Sequence, residues 1–152
     1  MFFSDLNEEV LRDMTWPNIL LNCPEVASFS NDELKIECFS GDWLSLANEL
    51  RKKEGNVKFD LILSSETTYS NTACEKLLKI IIDCISENGV ALIATKRFYF
   101  GVGGGTHEVE RVIAAHNKHS PLRRLKLEHL KSYEDGFSNI RDLILLKLIK
   151  SS

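Results

Sequence analysis

A chain of 152 residues, 43% of them apolar, has material for one sizeable core and not for two. Its net charge of −3 argues against a general nucleic-acid binder, and no run approaches the ~20 apolar residues that span a bilayer. The N-terminus has no basic start, apolar run and cleavage site of a signal peptide. Cys23, Cys38, Cys74 and Cys84 fall singly, without a Cys-x-x-Cys pair. Reduced thiols in a cytosolic or nuclear protein are the expectation.

No repeat, low-complexity tract or linker divides the sequence, so a single unit is expected. Met1-Phe2-Phe3 is a first short strand. Glu8 to Leu21 follows, with a helical pattern in Val10, Leu11, Met14, Ile19 and Leu20 that Pro17 interrupts or restarts. Leu34 to Phe39 is a second strand. Trp43 to Lys53 is a helix with a stripe of Trp43, Leu46, Ala47 and Leu50. Phe59 to Leu63 is a compact apolar run of the kind that parallel strands show when both faces are covered. Thr72 to Ser86 places Cys74, Leu77, Leu78, Ile81 and Ile85 on one helical face, and Asn88-Gly89 ends that helix ahead of a strand over Val90 to Ala94. A glycine-rich loop, Arg97 to Gly105, leads to a helix from about His107 to His116. Leu122 to Leu130 is a strand with Leu125 and Leu127 inward, Asp135-Gly136 a turn, and Ile140 to Ile149 the last strand. Alternating strands and helices imply an α/β, Rossmann-like, mostly parallel sheet with helices on both faces, closed by an antiparallel hairpin.

Ligands of such sheets bind outside the carboxyl ends of the strands. Asp5, Asp42 and the Ser64-Ser65-Glu66 corner occupy those ends, and a further loop opens at Lys96. A carboxylate there accepts hydrogen bonds only, which suits ribose hydroxyls or an adenine amino group. Each acid also suits the start of the next helix, as an N-cap or by its charge. Both readings stay open for Asp5, Asp42 and Glu66. Gly101-Val102-Gly103-Gly104-Gly105 fails as a dinucleotide fingerprint because position 106 is Thr, and no Lys-Ser/Thr follows for a P-loop. It reads instead as a pliable loop shaping a pocket, with Tyr99 and Phe100 as apolar walls. His116 and His119 have a ligand-like spacing but no third partner, so no metal is assigned. Lys118, Arg123, Arg124, Lys126 and Lys131 read as a solvated face rather than a sequence-specific nucleic-acid surface.

Three runs in order resemble the histidine protein methyltransferase 1 homolog family, within the seven-stranded S-adenosylmethionine-dependent methyltransferases. They are Phe3-Ser4-Asp5-Leu6-Asn7 with Thr15-Trp16-Pro17-Asn18-Ile19-Leu20-Leu21-Asn22, then Phe59 to Tyr69, then Tyr99 to Gly105. The resemblance implies S-adenosyl-L-methionine as cofactor and N-methylation of a histidine in a large-subunit ribosomal protein by a monomeric, membrane-free enzyme. It implies cofactor contacts from Asp5, Asn7, Asp42, Trp43 and Ser64. Ser65 and Glu66 would stand beside the methyl group, and Tyr69, Tyr99, Phe100, Gly101, Gly103, Gly104 and Gly105 on the substrate side. The family pattern also has a strand ending in Gly-x-Gly before the Asp5 strand. This sequence begins at strand two, so a truncated fold is expected, with weak or no cofactor binding by these residues alone. A catalytically silent interaction module is the alternative. A dehydrogenase fragment fits the alternation but neither Ser64-Ser65-Glu66-Thr67 nor the glycine run.

Overall fold

The computed structural model describes residues 1–27, 36–53, 57–120, 122–134, 136 and 140–149. Residues 34 and 35 of the expected second strand, and 135 of the expected turn, lie outside them. The chain divides into two compact units, Met1–Leu46 and Ala47–Ser152.

In the first unit β1 (Phe2–Asp5) pairs in parallel with β2 (Glu37–Ser40), in the register Phe2↔Glu37 to Asp5↔Ser40. Between them runs one helical stretch in three parts: α1 (Glu8–Val10), a π-helical turn (Leu11–Thr15) and α2 (Trp16–Asn22). Pro17 is the cause expected from its chemistry. It has no N–H to give to the preceding turn, and the ladder widens just before it rather than breaking. The apolar positions of this stretch are mostly exposed, and Leu11 is its buried residue. A single turn of 3₁₀ helix, Pro24–Ala27, follows, and α3 (Trp43–Lys52) crosses the boundary between the units.

The second unit is a four-stranded sheet in the order β3-β4-β6-β5, built from β3 (Phe59–Ser65), β4 (Ile85–Lys96), β5 (Leu125–Tyr133) and β6 (Arg141–Leu148). β3 and β4 are parallel. β6 lies between β4 and β5 and is antiparallel to both, so one reversed strand makes the sheet mixed. α4 (Asn71–Cys84) and α5 (Thr106–His119) pack together and onto one face of the sheet. Ser70 starts α4 by accepting the Ala73 N–H at 3.2 Å, and the stripe Ala73, Cys74, Leu77, Leu78, Ile81 and Cys84 is buried. Beneath it lie Ala91, Ile93 and Thr95 of β4, opposite Leu146, Ile144 and Asp142 of β6. Each large aliphatic side chain buried there contributes roughly 1.5–3 kcal/mol.

Two expectations are corrected. The run Phe59 to Leu63 is not covered on both faces: Leu61 is 54% and Leu63 69% exposed, and Val90, Leu92, Leu143 and Leu145 on the same side are only half-buried. The described residues supply helices to one face of this sheet, and β4 is the one strand registered against β3. Asn88-Gly89 does not end α4. The helix passes directly into β4 at Ile85, whose fourfold spacing from Ile81 satisfies both the helical stripe and the strand. Asn88 and Gly89 instead form an irregularity in β4, where the register moves from Phe59↔Ile85 to Leu61↔Val90. A side chain at Gly89 would stand 2.7 Å from the Phe59 carbonyl oxygen, so glycine admits the close approach.

Candidate active site

In the first unit, Asp5 is the last residue of β1, paired with Ser40, and Asp42 lies two residues beyond Ser40, with the Gly41 N–H given to the Asp5 carbonyl at 3.0 Å. Asp42 begins α3, while Leu6 and Asn7 stand between Asp5 and α1. Asp5 Oδ1 accepts the Asn7 N–H at 2.8 Å, and Asp42 Oδ1 accepts the Leu44 N–H at 2.9 Å. These bonds are an N-cap at Asp42 and, at Asp5, a turn contact ahead of Asn7, the residue at the cap position of α1. They do not displace the ligand reading for Asp5, because a carboxylate has acceptor sites beyond one cap. Trp43 is partly buried at the start of α3, and Asn7 precedes α1.

In the second unit, Ser64, Ser65 and Glu66 emerge at the end of β3. The Ser64 and Thr67 hydroxyls bond to each other, and Ser65 is exposed. Glu66 is the one non-glycine residue with positive φ (53°) among the described residues. Its N–H donates to the Ala94 carbonyl at 2.9 Å, so the left-handed turn is locked from β4. A glutamate in this region costs on the order of 1–2 kcal/mol, a strain of the kind concentrated at functional sites. The Tyr99 O–H donates to Glu66 Oε2 at 3.0 Å, and Lys96 Nζ lies 3.9 Å from the same oxygen and 5.3 Å from the Tyr99 ring centre. Burial, the largest influence on the phenol, raises its pKa, so Tyr99 is neutral and a donor at ordinary pH.

The expectation that Tyr99 and Phe100 together form apolar walls divides here. Tyr99 turns its hydroxyl to Glu66, while Phe100 is 78% exposed and Tyr69 and Phe98 are also open to solvent. The glycines have a framework task. The Gly105 N–H donates to the Thr68 carbonyl at 2.8 Å, and the Gly104 N–H to Asn71 Oδ1 at 3.0 Å. Gly103, Gly104 and Gly105 all have positive φ, and a Cβ on Gly104 would come within 2.2 Å of the Thr68 carbonyl oxygen. Only glycine lets the two turns touch backbone to backbone. Gly101 meets nothing within 4 Å.

Residues outside the sequence reading hold this arrangement. Asp142, buried on β6, accepts Arg97 Nε at 3.1 Å, Arg97 Nη2 at 2.8 Å, Ser132 Oγ at 2.7 Å and Thr106 Oγ1 at 2.8 Å. Arg97 opens the loop and Thr106 closes it, so one carboxylate ties both ends. The Thr68 and Thr95 hydroxyls, fully buried, bond to each other, and Thr95 Oγ1 lies 3.4 Å from the Tyr99 hydroxyl. A lone Asp directly ahead of the apolar run Leu143-Ile144-Leu145-Leu146 was the available signal, since a buried carboxylate demands partners. His116 instead places Nε2 2.8 Å from the Arg123 carbonyl oxygen.

A family profile described as "Lysine methyltransferase" matches residues 8–101. The histidine protein methyltransferase 1 homolog of Dictyostelium discoideum is 35% identical over 142 residues, covering 93% of this chain and 40% of its own length. The rat homolog is 31% identical over 127 residues, covering 73% of this chain and 35% of its own. The chain thus spans well under half the length of these curated relatives. Among solved structures, a putative rRNA-methylase from Clostridium thermocellum aligns with a TM-score of 0.60 at 11% identity, over 99% of this chain and 73% of that one. The fibrillarin pre-rRNA processing protein of Methanococcus jannaschii aligns with a TM-score of 0.57 at 14% identity, over 99% and 56%. Both likenesses speak to the fold. With the profile matched over more than half of its length, the chain belongs to this methyltransferase family.

Proposed function

We propose that this chain carries the substrate-side part of an S-adenosylmethionine-dependent protein-histidine N-methyltransferase acting in the cytosol or nucleus, with a large-subunit ribosomal protein as target. The observation that carries the reading is Glu66. It is a strained strand-end carboxylate with one oxygen held by Tyr99 and Lys96, and its Oε1 has no partner among the described residues.

The residues present fit the nucleoside part of the cofactor. Asp5 and Asp42 are acceptor-only groups at adjacent strand ends, suited to ribose hydroxyls and an adenine amino group. When bound, the cofactor supplies an electrophilic methyl group. A neutral imidazole nitrogen is already a fair nucleophile near pH 7, so the protein's part is placement. Glu66 accepts the N–H of one ring nitrogen, which fixes the tautomer and leaves the lone pair of the other free to react. As positive charge grows on the ring, the same carboxylate stabilises it. Exposed Phe98, Phe100 and Tyr69 offer apolar surface to the substrate polypeptide.

The test is methyl transfer to ribosomal protein by the complete protein, with the labelled residue identified by mass spectrometry. Glu66→Gln should lower turnover by about 10²-fold or more while cofactor affinity is retained. Label on lysine, or a variant at the unaltered rate, would overturn the reading. A second reading, a catalytically silent interaction module, has the exposed Leu61 and Leu63 face in its favour. It requires no transfer at all by the complete protein.

A further inference from the structure

Tyr99 occupies a position that pocket lining does not explain. Its side chain is partly buried, and its hydroxyl sits among polar groups: Glu66 Oε2 at 3.0 Å, Thr95 Oγ1 at 3.4 Å and the Lys96 N–H at 3.5 Å. Behind Thr95 lies Thr68, and both threonines are shut off from solvent. Thr68 in turn accepts the Gly105 N–H at its carbonyl. The Thr95 hydroxyl donates to the Lys96 carbonyl at 3.2 Å, so the donor facing Tyr99 Oη is the Lys96 N–H, with Thr95 and Thr68 packed behind the phenol.

A phenol has one proton to give. The carboxylate is the nearest acceptor and cannot donate, so the proton goes to Glu66 and the phenolic oxygen is left to accept from the Lys96 N–H. Hydrogen bonds to ionised groups are stronger than neutral ones, and donors aligned in series reinforce one another. Without the Tyr99 bond the Glu66 side chain, exposed at its end, would have only Lys96 Nζ at 3.9 Å to direct it. The backbone lock through Ala94 sets where the chain leaves the strand, but it does not set where the carboxylate points.

We propose that Tyr99 is a positioning residue for Glu66: its hydroxyl, seated against Thr95 and the Lys96 N–H, fixes which carboxylate oxygen faces the substrate. This deepens, and rests on, the reading of Glu66 as the group that receives the substrate N–H. Tyr99 and Lys96 both face Oε2, which leaves Oε1, without a partner among the described residues, as the substrate's oxygen. Phe98 and Phe100, not Tyr99, then remain as the exposed aromatic surface of the loop.

The experiment is a double-substitution cycle in the complete protein, reading kcat and KM for methyl transfer to a histidine-containing peptide. Tyr99→Phe keeps the ring and removes the hydroxyl. The expected loss is about ten- to a hundredfold in kcat with KM nearly unchanged, the scale of one hydrogen bond to a charged group. In a Glu66→Ala background the same substitution should cost nothing further. An equal loss in both backgrounds, or a change confined to KM, overturns the proposal. If the unaltered protein transfers no methyl group to histidine, the functional reading fails, and the positioning claim is decided on Glu66 itself. Coupling of glycinamide to carboxylates by a water-soluble carbodiimide, read by peptide mass spectrometry, should label Glu66 several-fold faster in Tyr99→Phe, with Asp60 unchanged as reference. Equal labelling of Glu66 in both proteins overturns the claim. Comparable melting temperatures for the two proteins exclude loss of fold as the cause.

Discussion

Four hydrogen bonds converge on Asp142, whose side chain has no exposed surface. The bidentate bond from Arg97 is the main reason its pKa falls from the usual 3.8 to about 2, with the Ser132 and Thr106 hydroxyls adding to the effect and burial opposing it. A carboxylate whose folded pKa is depressed stabilises the fold above its unfolded pKa. That contribution fades as pH drops through the folded value. The loss is therefore expected between about pH 4 and pH 2, and it amounts to roughly 2 kcal/mol. Asp142→Asn should lower the thermal midpoint at pH 7 and flatten its fall across that acid window, as followed by circular dichroism at stepped pH. Glu128 titrates in the same range because Lys126 and Lys147 lower its pKa to about 2, so the informative quantity is the difference between the two proteins. An identical acid slope in both would show that Asp142 is not the group responsible.

Between β4 and α5, the loop at 97–105 is tied at its ends by the Asp142 carboxylate, and its glycines lie against backbone rather than in a side-chain core. Two of its glycines therefore answer differently to the same substitution. Gly101 has φ of 81° and open space around it, so Gly101→Ala should cost only the backbone term, about 1 kcal/mol. Gly104 has nearly the same φ, 82°, but a Cβ there meets the Thr68 carbonyl oxygen and the Ser70 nitrogen, both backbone atoms that cannot step aside. Gly104→Ala should cost about 3 kcal/mol or more, measured by urea unfolding of the two variants side by side. Equal costs would remove the backbone-contact account of this loop. The glycines themselves were legible in the sequence as a departure from phosphate-loop spacing. Their partner was not, because the turn at Thr68 to Asn71 is about 35 residues away and nothing local in either segment encodes the meeting. The α4 stripe shows the opposite case. Its burial follows from spacing alone, and only its end was misplaced, since Ile85 serves helix and strand patterns equally.

At the scale of the molecule, the unevenness of the four-stranded sheet is the dominant physical fact. α4 and α5 cover one face, while Leu61 and Leu63 stand open on the other, along a strand registered only to β4 among the described residues. The β3 run Phe-Asp-Leu-Ile-Leu-Ser-Ser contains neither Lys nor Pro, the usual guards of an unpaired edge. This chain by itself should bind an apolar dye such as anilinonaphthalene sulfonate. Leu61→Ser with Leu63→Ser should reduce the dye signal and the light scattering on concentration, with little loss of melting temperature, because those side chains are already exposed. Unchanged dye binding would place the open apolar surface elsewhere. The sequence by itself determined the alternation of strands and helices, the buried stripe of α4, the strand-end acids and the Ser-Glu-Thr corner, because periodicity and end-residue chemistry are local properties. Only the tertiary structure decided that Tyr99 turns to Glu66, that Asp142 closes the loop, that β6 separates β4 from β5 and that the β3 leucines face solvent. Each of these depends on groups distant in sequence meeting, or failing to meet, across the sheet.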